Sequence, residues 1–289
     1  GQILVKELGS QAAQTLAKAP TGSAGFGEAA ISPDGARIAY TVLYPDGPAP
    51  VPKVGIHFMN VDGSGGGAVE PDYFIGRLAW APDSAQVVYF KGKGGTPPED
   101  GDAYVVDVDK GEARRLFPRL RLAAWSPSGT QALWLSEPAD ERGQADLYLT
   151  AWPAAGEPQV VAHGVAMSGV AWAGSDDWFV YSQGGLLYMA PAAAPNRLTL
   201  LTPARDVADA PLWVPGKGLI YRAVRDGRAV LRLLPPAEPA GALHEFSAAG
   251  LTIEEHAVAE EATGFRSDVE GTSWLGPGIL DRRRAWREP

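Results

Sequence analysis

Four histidines, His57, His163, His244 and His256, are the side chains best suited to ligate a transition metal or to move a proton near neutral pH. They lie far apart, and none has a second histidine at the His-x-x-x-His spacing that sets two ligands on one helical turn. Acyl transfer through serine would need a Gly-x-Ser-x-Gly elbow, and "VDGSGGG" at 61–67 has the glycines without that spacing. Cysteine is absent, which removes thiolate nucleophiles, Cys-ligated metals and disulfides together. Glycoside hydrolysis asks for two carboxylates facing one another across a cleft, a pairing that a sequence does not display. "SDVEGTSW" (267–274) comes close to a sialidase Asp-box, but Val269 stands at the Asp position and the match occurs once. Loop carboxylates could hold a hard cation such as calcium, although Asn60 and Asn196 are the only asparagines to help them. No cofactor is therefore expected, and a central cation such as calcium is the one ligand that the composition allows.

The balance of charge narrows the partners. A formal net charge of -9 argues against a general nucleic-acid or anionic-membrane surface, since both depend on clustered Lys and Arg. The one basic run, Arg282 to Arg284 with Arg287, reads as a solvated terminus. No stretch approaches the 18 or so apolar residues of a membrane helix, so no membrane insertion is expected, and "GQILVKELGS" lacks the segments of a signal peptide.

Any site must be positioned by a repeated element. "AAISPDGARIAY" (29–40) recurs as "LAWAPDSAQVVYF" (78–90), "AAWSPSGTQALWL" (123–135), "VAWAGSDDWFVYS" (170–182) and "PLWVPGKGLIYRA" (211–223). With Pro33, Pro82, Pro127, Gly174 and Pro215 in register, the copies return roughly every 45 residues, the period of a propeller blade. Alternation on either side of each turn predicts two strands, and Pro-Asp-Gly supplies a fixed φ followed by a permitted positive one. Trp80, Trp125, Trp172 and Trp213 precede the turn, while Tyr40, Tyr89, Trp134, Tyr181 and Tyr221 follow it. Recurrence at equivalent positions assigns these rings to the core between sheets.

A second hairpin follows each copy: "IHFMNVDGSGGGAV", "AYVVDVDKGEARRLF", "DLYLTAWPAAGEPQVVA", "LLYMAPAAAPNRLTLLT" and "VLRLLPPAEPAGALHEF". Two hairpins make a four-stranded blade, and a sixth is assembled from the ends, with residues 1–18 and 270–289 sharing it. The expected fold is a single all-β domain over 1–289, a six-bladed β-propeller whose closure removes free sheet edges. Residues 249–270 form an insertion, in which Thr252 and Glu255 have the spacing of a helix-capping box.

The Ser-Pro-Asp-Gly turn at 32–35 and its variants at 81–84, 126–129 and 214–216, with "MNVDGSGG" (59–66) beside the first, resemble the repeats of TolB-like propellers. The resemblance implies a bacterial, extracytoplasmic protein, periplasmic or secreted. Its implications for function are broader, because such repeats serve binding proteins as well as the propeller domains of peptidases.

In a blade, the connections between hairpins emerge on one face and the tight turns on the other. "LYPDGPAPVPK" (43–53), "KGKGGTPPEDGD" (91–102) and "SEPADERGQAD" (136–146) make the first set long, and long loops on a rigid scaffold are where binding resides. Tyr44, Tyr73, Phe74, Arg119, Arg121, Glu137, Arg142, His163, Arg205 and Asp206 are the candidate binding residues of that face. The leading expectation is a monomeric, non-catalytic module that binds a protein or peptide. The alternative is an enzyme with a channel-centred metal or carboxylate site, a lactonase- or glycosidase-like hydrolase.

Overall fold

The computed structural model describes residues 1–5, 13–45, 53–73, 75–92, 101–136, 143–153, 156–202, 207–225, 227–234 and 244–246. Among these residues every regular element is a strand. They fall into two compact units, one running through Arg121 and the other beginning at Leu122.

The first unit opens with β1 (Gln2–Val5) and β2 (Gln14–Lys18), an antiparallel pair. A four-stranded antiparallel sheet follows, in the order β3 (Gly25–Ile31), β4 (Arg37–Tyr44), β5 (Lys53–Asn60) and β6 (Gly67–Tyr73). The next sheet repeats the pattern with β7 (Ile75–Trp80), β8 (Gln86–Gly92), β9 (Gly101–Asp107) and β10 (Ala113–Pro118). Facing side chains of the two sheets make one core, in which Ile56 and Phe58 meet Trp80, Val87 and Tyr89.

In the second unit β11 (Leu120–Trp125), β12 (Gln131–Ser136), β13 (Gln144–Ala151) and β14 (Gln159–Trp172) pair in order. They belong to one seven-stranded sheet, whose two blade-like halves the long β14 joins. The first half of β14 pairs with β13 and its second with β15 (Trp178–Gln183), which continues through β16 (Leu186–Pro191) to β17 (Thr199–Leu200). A fifth sheet comprises β18 (Val207–Val214), β19 (Gly218–Arg225), β20 (Arg228–Leu234) and β21 (His244–Phe246). Leu133, Leu147, Phe179 and Tyr181 fill one core of this unit, and Val180, Leu187, Leu219 and Tyr221 fill another.

Of the repeated tryptophans Trp80 and Trp172 are buried in the core, Trp125 and Trp213 are half-buried, and the first two also latch one repeat to the next. Trp80 Nε1 donates to the Ala30 carbonyl at 2.9 Å, and Trp172 Nε1 donates to the Ala124 carbonyl at 3.4 Å, the same exchange one repeat-pair later. A second latch joins the turns. The Asp34 amide donates to Ser84 Oγ (3.1 Å) and the Ser128 amide to Asp176 Oδ1 (2.9 Å). The fourth repeat lacks the turn proline because Gly174 has φ 78°, and a Cβ there would lie 2.4 Å from the Trp213 indole nitrogen. The sixth blade and the insertion at 249–270 depend on residues outside the described ones.

Candidate functional site

Strand direction gives each sheet two distinct ends. Tight turns such as Ser32 to Arg37 and Ala81 to Gln86 occupy one end, the turn side; the connections after β4, β8 and β12 leave from the other, the loop side. On the loop side the connection after β15 is much shorter. Gly184 and Gly185, with φ of 59° and 78°, close a two-residue hairpin of the kind that needs positive φ at both positions.

At the loop side of the first unit, the Tyr44 hydroxyl and His57 Nε2 are 3.0 Å apart. His57 stacks on Tyr40 with 5.5 Å between ring centroids, and Phe26 meets Tyr40 edge-on at 5.6 Å. Burial disfavours the charged forms, so the His57 pKa is pushed down from its ordinary value and that of Tyr40 is pushed up. Gly55 makes room for this cluster, since a Cβ there would come 3.1 Å from the Tyr44 ring and 3.2 Å from His57 Nε2.

The next sheet adds a charged cluster. Lys91 Nζ lies 2.5 Å from Asp72 Oδ2 and 5.4 Å from the centre of the Tyr104 ring, which stacks on Tyr89. Burial, followed by the neighbouring Tyr104 and Asp72, raises the Tyr89 phenol well above its usual value. Asp102, 7% exposed, accepts from the Arg119 amide at 3.0 Å and from Arg115 Nε at 2.9 Å. Arg119 reaches that carboxylate by adopting φ 55° at the step from β10 to β11.

The second unit has its own pair. His163 Nδ1 is 2.9 Å from Asp146 Oδ1, the His163 carbonyl accepts from Gln183 Nε2 at 2.7 Å, and the Asp146 amide donates to Ser136 Oγ at 2.9 Å. Arg222 grips Asp209 with two bonds, Nε to Oδ1 at 2.7 Å and Nη2 to Oδ2 at 2.5 Å.

Of the residues selected from the sequence, Tyr44, Arg119 and Arg121 stand at the loop side of the first unit, and His163 stands at that of the second. Tyr73 ends β6, in register with Lys53. Phe74, Glu137, Arg142, Arg205 and Asp206 lie outside the described residues. Sequence reasoning passed over Asp72, Lys91, Asp102 and Asp146. Their signal was a charge at the loop end of an otherwise apolar strand, as in "QVVYFKG" and "GDAYVVD".

Two hollows open on the turn side. One, of about 300 Å³, is lined by Gln86, Asp107, Lys110 and Arg114, with Lys110 Nζ 2.9 Å from Asp107 Oδ2. The other, of about 380 Å³, is lined by Gln131, Asp176, Asp177, Trp178, Pro191 and neighbouring alanines. Among the described residues no three His, Asp or Glu side chains are grouped so as to hold a metal ion.

No protein-family model and no curated protein matches the chain. Solved structures do. A prolyl endopeptidase, from a study of interdomain dynamics in two such enzymes, overlays 93% of this chain with a TM-score of 0.65 at 14% identity. The chain spans only 45% of that enzyme's length. An oligogalacturonate lyase solved with manganese overlays 81% of the chain and 71% of its own, with a TM-score of 0.59 at 11% identity. The fold is that of a β-propeller. Each four-stranded sheet is thus a blade, although at such identities the likeness extends to the fold alone. A structure described as a putative TolB from Agrobacterium tumefaciens overlays 81% of this chain and 83% of its own at 13% identity, with a TM-score of 0.49.

Proposed function

We propose that this propeller is a non-catalytic binding module for a protein or peptide, engaged through its loop side. The observation that supports the reading most is the cluster of Asp72, Lys91 and Tyr104. Two opposite charges near strand ends and the ring of Tyr104, midway along β9, are already in contact with one another at 2.5 and 5.4 Å. Groups fixed in this way lose little side-chain entropy on meeting a partner, and rigid aromatics with charged neighbours are typical anchors of protein interfaces. Tyr44 with His57 and Arg119 with Asp102 extend the same side of the unit. An extracytoplasmic setting and a monomeric state complete the proposal; the first rests on the TolB-like repeats.

A second reading, a propeller enzyme with a channel-centred metal or carboxylate site, draws on the His163–Asp146 pair. A carboxylate on Nδ1 orients an imidazole for proton transfer at Nε2. Selection of peptides from a displayed library against the immobilised chain separates the two readings. The selected peptides are expected to bind saturably in calorimetry, to be released by Lys91→Ala and to be recovered unchanged. Turnover of the peptides, or a stoichiometric metal whose chelation lowers the Tm, would overturn the binding reading in favour of the enzyme.

A further inference from the structure

The larger turn-side hollow lies where β14 passes into β15 on the fourth blade. β15 is buried along most of its length, yet its first residue, Trp178, is 39% exposed. Trp178 is in register with Pro191, and Ala192 and Ala193 extend the apolar floor of the hollow.

Asp176 and Asp177 share the lining of the hollow. Asp176 is immobilised: it accepts from the Ser128 amide (2.9 Å), from Thr130 Oγ1 (2.9 Å) and from the Ser128 hydroxyl. Burial alone would raise its carboxyl pKa, but the Ser128 and Thr130 donors outweigh burial and hold it below the ordinary 3.8, so the charge persists at neutral pH. Asp177 is exposed at the rim, and its backbone is fixed by Ser175 Oγ on the amide (3.2 Å) and by the Ala192 amide on the carbonyl (2.7 Å). Among the described residues no Lys, Arg or His lines the hollow to neutralise these charges.

An exposed indole, an apolar floor, one fixed carboxylate and a second at the rim have a specific chemical complement. A guanidinium is flat and weakly hydrated, stacks on aromatic faces and donates in a fork to carboxylates, whereas an ammonium keeps its water more tightly. We propose that this hollow receives an arginine side chain of a partner peptide, with the guanidinium on the Trp178 indole and its N–H groups directed to the Asp177 carboxylate. The chain's net charge of -9 favours the approach of such a peptide. The site is separate from the loop side, and either proposal can fail without the other.

The test uses the full chain labelled with 5-fluorotryptophan, in which fluorine NMR resolves the nine tryptophans and Trp178→Phe assigns one signal. Titration with acetyl-Gly-Arg-Gly-amide is expected to shift the Trp178 signal saturably and to leave the others in place. Asp177→Asn should weaken binding about fivefold, added salt should weaken it further, and the lysine peptide should bind less tightly than the arginine peptide. The citrulline peptide, equal in shape and uncharged, should not bind. The proposal is overturned by an unmoved Trp178 signal at about 10 mM peptide, by citrulline matching arginine, or by unchanged affinity in Asp177→Asn. Unshifted signals from the other tryptophans confirm that each variant is folded. Lys91→Ala should leave this titration unaltered while abolishing loop-side binding, so the two readings are scored separately.

Discussion

Replacing Glu28 by alanine removes the side-chain acceptor that holds the Leu78 amide. β7 carries an irregularity between Gly76 and Ala79, where its register against β8 shifts, and there the Leu78 N–H donates to Glu28 Oε2 at 3.0 Å. Leu78 is 9% exposed, which denies the orphaned N–H water as a substitute. A buried donor left unpaired costs about 1–3 kcal/mol, and a bond to a carboxylate lies in the upper part of the range for hydrogen bonds. We expect Glu28→Ala to lose about 2 kcal/mol, about thirtyfold in the folding equilibrium. Glu28→Gln keeps an amide oxygen at the same reach and should lose about half as much. With a urea dependence of about 3 kcal/mol per molar, the alanine midpoint falls by roughly 0.7 M. Urea titration followed by circular dichroism reads both variants. If the two units unfold separately, the loss belongs to the transition of the unit that contains Glu28 and Leu78. A midpoint within about 0.2 M of the parent, or a glutamine variant no better than alanine, would refute the reasoning.

Gly174→Ala should cost 3 kcal/mol or more, about the sum of a strained positive φ and a Cβ placed 2.4 Å from the Trp213 indole. Gly216→Ala, at φ 72° with open space around it, should cost only about 1 kcal/mol, and paired thermal melts check the difference. The chain should also lose stability on mild acidification through His57. Burial sets its folded pKa below the ordinary 6.5, so the folded state binds this proton less readily than the unfolded chain does. The contribution is complete above 6.5 and declines as the pH falls through the folded value. His57→Gln should flatten the stability profile below pH 6.5, and parallel pH profiles for the two proteins would contradict the assignment.

Much of the architecture was legible because its signals are local. A large apolar residue before each tight turn and an aromatic after it specify a hairpin within about a dozen residues, and the structure places Trp80, Trp172, Tyr89 and Tyr181 in the cores that this pattern implies. The loop side was legible in the same way, from lengths such as 43–53 set against the short turns. What joins one blade to the next was not. Glu28 with Leu78, Asp34 with Ser84 and Ser128 with Asp176 are contacts across about fifty residues. Nothing in the local pattern distinguishes Glu28 from a solvated carboxylate.

The same division holds at the candidate sites. Tyr44 and His163 could be named from their positions beside long loops, but their partners His57 and Asp146 could not, since those pairs depend on the register of neighbouring strands. Trp178 and Phe179 are adjacent aromatics in one apolar run; the strand end leaves the first at the surface beside Asp177 and buries the second completely. The sequence by itself determined strands, turns, blade period and core rings, because backbone preference and side-chain alternation act over a few residues. The tertiary structure alone decided which charges meet and which rings stay in water, because blade packing brings together groups that no short stretch of chain relates.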